Sequence, residues 1–140
     1  MSEQQANIQP STLPNPQWAK AKGGGFHRLL SIDPEEVAVE RVGGVYVIWH
    51  AGLRPKWIFV GKSIDLAATF NAMSENEDVM EYEVNGGIFT SWALIRPELQ
   101  DGVVRYLHTA MKPLIENPDL PGNEVTPIAV QAPGIATSVT

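Results

Sequence analysis

Apolar and polar positions follow different rhythms along the chain, and each rhythm predicts an element. Val45-Tyr46-Val47-Ile48-Trp49 follows Gly43-Gly44 and is β-branched or aromatic throughout, as in a buried strand. Ala51-Gly52-Leu53-Arg54-Pro55 reads as a turn, and Trp57-Ile58-Phe59-Val60 as a second strand ending at Gly61. So short a connection predicts an antiparallel hairpin. Leu66, Phe70 and Met73, spaced by four and three, make one face of a helix that Ser63 can cap. Met80, Tyr82 and Val84 alternate with Glu81 and Glu83, which predicts a half-exposed strand. Asn85-Gly86-Gly87 then turns the chain into a strand from Ile88 to Ile95, broken by Arg96-Pro97. A last helix is expected from Asp101, burying Val103, Val104, Leu107 and Met111 and stopped by Pro113. Upstream, Asp33-Pro34-Glu35-Glu36 has the spacing of a helix start, although Val37, Val39 and Val42 also fit a strand.

The two ends lack such rhythms. Residues 1–25 hold Pro10, Pro14 and Pro16 among Gln, Asn and Ser, and close on Gly23-Gly24-Gly25. Residues 118–140 hold Pro118, Pro121, Pro127 and Pro133 and little charge. Both read as extended Pro/Gly-rich tails that build no core unaided, so ordering them calls for a partner surface. Residues 26–42 connect, and residues 43–117 form the domain. The fold class is α+β: a short, mostly antiparallel sheet flanked by helices.

Composition sets limits on this picture. The chain has 140 residues, 44% of them hydrophobic, with four Trp, which suits one domain with a real core. It has no cysteine, so disulfides, thiolate metal sites and cysteine nucleophiles are excluded together. Apolar runs fall far below the ~20 residues of a membrane helix. Residues 1–7 lack the basic start and apolar middle of a secretion signal, from which a cytoplasmic protein is expected. Net charge is −6, which repels phosphate backbones, so nucleic-acid binding calls for a local basic patch. Glu75, Glu77, Asp78, Glu81 and Glu83 supply most of the acidity of the domain. A negative rim of this kind disfavours nucleic acid; a solvated loop is the plainer reading.

Several chemistries drop out by spacing. Gly61-Lys62-Ser63 ends like a phosphate-binding loop, but position 56, where that motif needs Gly, is Lys56. His27, His50 and His108 lie far apart with no helical i, i+4 pair, so they make no metal site. No Gly-x-Ser-x-Gly occurs. Trp18, beside Lys20 and Lys22 in the polar tail, is a candidate anchor for a partner.

One arrangement carries more. Gly44-Val45-Tyr46 is followed after twelve residues by Phe59-Val60-Gly61, then by Lys62-Ser63-x-Asp65-Leu66. Leu107, Lys112-Pro113-Leu114 and Asn117 complete the series over residues 43–117. This order resembles the GIY-YIG nuclease family. The resemblance implies two strands whose tyrosines face the scissile phosphate. It also implies an Arg one turn along the first helix to stabilise the phosphorane, and a Glu on the last helix holding one divalent metal. Carried over by spacing, Tyr46 is kept and Phe59 lacks the second hydroxyl. The Arg position falls on Thr69 and the Glu position on Val104.

Thr69 cannot neutralise a phosphorane and Val104 cannot hold a cation. Losing one such electrostatic group costs roughly two to three orders of magnitude in rate. Glu98 and Glu116 lie outside the expected helix, and Arg105 points about 100° away from Val104. The resemblance therefore implies a degenerate cleft of Tyr46, Phe59, Lys62, Thr69 and Val104, with no catalysis, no metal and no cofactor. The implied function is a non-catalytic binding or structural module, a subunit of a larger assembly. It would meet protein partners through the tails and the cleft, with Tyr46, Lys56, Lys62 and Arg105 in binding roles. Two alternatives stand beside it. One is a divalent-metal-dependent DNA endonuclease using Tyr46 and Lys62. The other is a nucleic-acid binder without cleavage, which needs Arg54, Lys56, Lys62 and Arg105 on one basic face.

Overall fold

The computed structural model describes residues 13–134. Residues 1–12 and 135–140, the outer parts of the two expected tails, lie outside that range. Strand β2 (Gly44–His50) is buried at every position and runs through the interior of a four-stranded sheet. On one side it pairs with β3 (Lys56–Ser63), the hairpin partner expected from the short turn. On the other it pairs with β4 (Ile88–Ala93), which also holds the two-residue β1 (His27–Arg28). The order is β1-β4-β2-β3 and every neighbouring pair is antiparallel.

Because successive β2 side chains leave opposite faces, both faces need cover. Val45, Val47 and Trp49 look one way, onto Val103, Val104 and Leu107 of helix α3 (Pro97–Met111). Tyr46 and Ile48 look the other way, onto Leu66 and Phe70 of α1 (Leu66–Ser74) and Val79 of the short α2 (Glu77–Met80). The hairpin register slips between Ile48 and Trp49, leaving Ile58 as the extra residue of β3, fully buried on the α1 side. The class is α+β, with three helices on an antiparallel sheet. Among the described residues no helix is long and apolar enough to cross a membrane.

The edge of β3, and that of β4 beyond the short β1, are covered by chain without regular structure. At the β4 edge the Ala19 amide donates to Trp92 O (2.9 Å), and Ser91 Oγ donates to Ala19 O (2.6 Å). At the β3 edge the amides of Leu114 and Ile115 donate to Trp57 O and Ile58 O, and Asn117 Nδ2 donates to Val60 O. The surface that segments 13–25 and 118–134 lie on is the chain's own. Trp18 is buried in the α3-side core, its Nε1 donating to Gln131 O at 2.7 Å. Gln131 in turn donates from its amide to Pro14 O and from Nε2 to Leu13 O. Val130 enters the same core, and Ile128 lies against α3 where Gly102 offers no Cβ to obstruct it. Trp18 is thus an internal anchor rather than one for a partner.

Four local expectations are corrected. The alternation of Met80, Tyr82 and Val84 predicts a strand, but the chain forms α2 and then a 3-10 turn, Glu81–Val84. Asn76 Oδ1 accepts the Val79 amide there, and Glu77 and Asp78 sit in the first turn, where the helix dipole favours negative charge. Val79 supplies the buried contact, while Val84 is 88% exposed. Helix α3 starts at Pro97 and not at Asp101, since proline's fixed φ and missing N–H suit the first helical position. Helix α1 is capped by Asp65, not Ser63, because Ser63 still pairs with Gly44 in the sheet. Residues 34–38 form turns rather than a helix, and the carbonyls of Val39 and Val42 take the first amides of α1. The end of α3 is as expected: Lys112 adopts a left-handed φ of 50° ahead of Pro113.

Two measurements check this core. Trp18→Ala should lower unfolding free energy by about 3–5 kcal/mol, as for a buried aromatic, read from chemical denaturation. An unchanged midpoint would make residues 13–25 a true tail. His50 is buried, stacked on Tyr82, and its Nδ1 accepts the Gly52 amide. Burial, and secondly the Lys56 charge, push its pKa below the usual 6.5. The unfolded chain therefore takes up a proton before the folded one does, so stability falls as pH drops through 6.5. His50→Gln should flatten that part of the stability–pH curve measured between about pH 7.5 and 5.5.

Candidate binding cleft

The segment that covers the β3 edge also makes a cavity of about 690 Å³ beside it. Tyr46 and Phe59 form its floor with ring centroids 6.0 Å apart, and Met73, Val104 and Ile115 complete the apolar lining. Lys62, Asn76, Asp78, Glu116, Asn117 and Asp119 supply the polar positions, with Pro118 and Pro121 closing the far wall. Four residues singled out by sequence spacing, Tyr46, Phe59, Lys62 and Val104, thus meet in one place.

Gly61 explains how the floor is built. It stands opposite Tyr46 in the hairpin, and a Cβ there would lie 2.9 Å from Tyr46 Oη and 3.0 Å from Phe59 Cε2. The Tyr46 ring therefore lies across the bare backbone of β3. Tyr46 is only 4% exposed, yet its hydroxyl has no hydrogen-bond partner among the described residues. Burial first, and the Asp119 carboxylate second, hold it strongly in the neutral form, well above the ordinary tyrosine pKa.

The charges are distributed unevenly. Lys62 Nζ pairs with Asp101 Oδ1 of α3 at 2.7 Å, both half-exposed, so this contact ties helix to strand at a modest gain. Asp78, Glu116 and Asp119 have no ion pair among the described residues. Among the described residues no three acidic, His or Cys side chains converge to hold a metal ion. Val104 is 1% exposed within the α3-side core. Thr69 is not in the cavity; its hydroxyl meets Ser63 Oγ at 2.6 Å, and Ser63 also accepts the Asp65 amide.

The basic face that a nucleic-acid binder would need does not assemble. Lys56 sits six residues before Lys62 on β3, about 20 Å away along an extended strand. Arg54 lies in the hairpin turn beyond it, and neither lines the cavity. Arg105 turns its guanidinium to the C-terminal segment, donating to Pro121 O and to Asn123 Oδ1 (2.7 Å). Of the acidic run, only Asp78 reaches the cleft; Glu83 pairs with Arg28 at 2.7 Å and accepts the Ile88 amide.

Sequence spacing places Glu116 off the site because it follows Pro113, but the chain doubles back along β3 and brings it to the rim. Asp119 is missed for the same reason. The one signal for it is the apolar Ile115 after the helix-ending proline, which gives the segment something to bury. Comparison of the chain with family models, curated proteins and solved structures gives no match.

Gly61→Ala tests the floor. The added methyl has to displace two packed rings, so a loss of about 1–3 kcal/mol is expected in denaturant unfolding. The loss should shrink in a Tyr46→Leu background, because the closest obstruction is then gone. An additive pair would mean that Tyr46 does not lie across Gly61.

Proposed function

We propose that this chain is a degenerate GIY-YIG domain that binds a protein partner without cleaving nucleic acid, as a subunit of a larger assembly. One observation carries the reading. The position matching the family's metal carboxylate is Val104, 1% exposed, which packs with Val45, Val60 and Leu107 and lines the cavity with an apolar side chain. An apolar side chain at that position offers a metal ion no oxygen ligand. The position matching the charge-stabilising arginine is Thr69, whose hydroxyl is engaged with Ser63 outside the cavity. Phe59 has no hydroxyl to orient water, and the Lys62 ammonium is shared with Asp101.

What remains is shape. The hairpin, the tyrosine over a glycine and the two flanking helices make a cleft with an aromatic floor and a carboxylate rim. Such a rim repels a phosphate backbone and suits a polypeptide.

The test is a cleavage assay on duplex and single-stranded DNA with magnesium or manganese, beside calorimetric titration of both metals. No strand scission and a flat titration are expected. Manganese-dependent cleavage abolished by Tyr46→Phe, or stoichiometric metal uptake lost in Glu116→Gln, would overturn the reading and favour the endonuclease. A salt-dependent gel shift centred on Lys62 would favour the nucleic-acid binder.

A further inference from the structure

The geometry points to a guanidinium or ammonium group, carried on a side chain of the partner polypeptide, as the ligand of the cleft beside β3. This rests on the binding-module reading and adds the chemistry of the bound group. Asp78, Glu116 and Asp119 bring three carboxylates to one cavity, while its single ammonium, Lys62, is already paired with Asp101. A phosphate or carboxylate ligand would meet repulsion there, and a cation would meet attraction.

A second observation is independent of the acids. Tyr46 is 4% exposed and lines the cavity, yet its Oη has no partner among the described residues. That oxygen is not among the buried polar atoms left without a partner, so it opens onto the cavity, where an incoming donor can reach it. Held neutral by burial and by Asp119, it offers lone pairs to an incoming N–H donor.

Size and spacing select an organic cation over a metal. Among the described residues no three carboxylates, His or Cys converge to the separation a metal ion needs. The cavity, about 690 Å³, is several times larger than a hydrated ion. Its floor is an offset pair of rings, Tyr46 and Phe59, with Met73 and Ile115 beside them. Such a floor takes the methylene stem of Arg or Lys and the face of a guanidinium. The carboxylates sit at the exposed mouth, where the charged head and the neighbouring peptide of a partner would rest. A polypeptide fits better than a free amine because the volume leaves room for residues flanking the cation.

The test uses the full ¹⁵N-labelled chain titrated with acetyl-arginine-amide, acetyl-lysine-amide, the uncharged acetyl-citrulline-amide, spermidine and inorganic phosphate, followed by amide chemical shifts. Saturable shifts at Gly61, Lys62, Asn76, Asn117 and Asp119 are expected with the arginine and lysine amides. None is expected with the citrulline amide or phosphate. Apparent Kd should rise about tenfold in Asp119→Asn and in Glu116→Gln, in line with loss of one charge-assisted bond. It should also rise between about 50 and 500 mM salt. Both carboxylates are exposed, so neither substitution threatens the fold, and Tyr46→Phe, which removes only one oxygen, should weaken binding with unchanged unfolding. Equal response to citrulline, a response to phosphate, or no response to any cation at ~50 mM overturns the inference, that concentration lying well above the ~1 mM of a weak specific contact. A stronger response to spermidine than to either amide overturns the polypeptide assignment. Failure here with no DNA cleavage leaves the binding-module reading standing; DNA cleavage brings down that reading, whatever the shifts show.

Discussion

Strand β2 has no face that tolerates water. Val45, Val47 and Trp49 on one side and Tyr46 and Ile48 on the other are all buried, so the sheet needs a layer on each face. One amphipathic helix cannot meet that demand. Helix α3 covers one face and α1 with α2 the other, and the gaps between are filled by Leu29 of a 3-10 turn and by Trp18, Val39 and Val130 from segments without regular structure. The Pro-rich ends follow from the same constraint. They carry a few apolar residues each, and those residues complete a core that the helices alone leave open.

The cleft is a by-product of closing the sheet. An uncovered β3 would present a row of free amides and carbonyls. The chain after Lys112 reverses through a left-handed residue and Pro113, then satisfies Trp57, Ile58 and Val60 carbonyls. Doing so stands Glu116 to Asp119 opposite Tyr46 and Phe59 and leaves a cavity between. Asn117 is central to this wall: its Nδ2 donates to Val60 O while its Oδ1 accepts the Asp119 amide at 2.8 Å. The residue that fastens the segment thus also positions the carboxylate nearest in chain to the cavity's far wall.

Charge at the site is decided by pairing rather than by count. Lys62 reads from the sequence as a cation of the cleft, but Asp101 reaches it from the second turn of α3. Arg105 is likewise taken by Pro121 O and Asn123. Once these cations are engaged, the mouth of the cleft is negative, which follows from no single residue.

By itself the sequence determined the hairpin, the α1 face through Leu66 and Phe70, and the α3 face through Val103, Val104 and Leu107. Those elements rest on interactions between residues close in the chain or repeated at a fixed period, so spacing reveals them. The family resemblance in its motifs also marked Tyr46, Phe59, Lys62, Thr69 and Val104 as one group, of which all but Thr69 line the cavity. Only the tertiary structure decided the rest. The alternation of Met80, Tyr82 and Val84 has the period of a strand, but the segment joins no sheet: Asn76 caps a short helix and a 3-10 turn follows. Trp18 and Val130 carry no period at all; they are buried because Gln131 joins the two ends across 113 positions of chain. Asp119 came to the cleft through the reversal after α3, a path set by the open edge of β3 and by nothing within residues 112–119 alone.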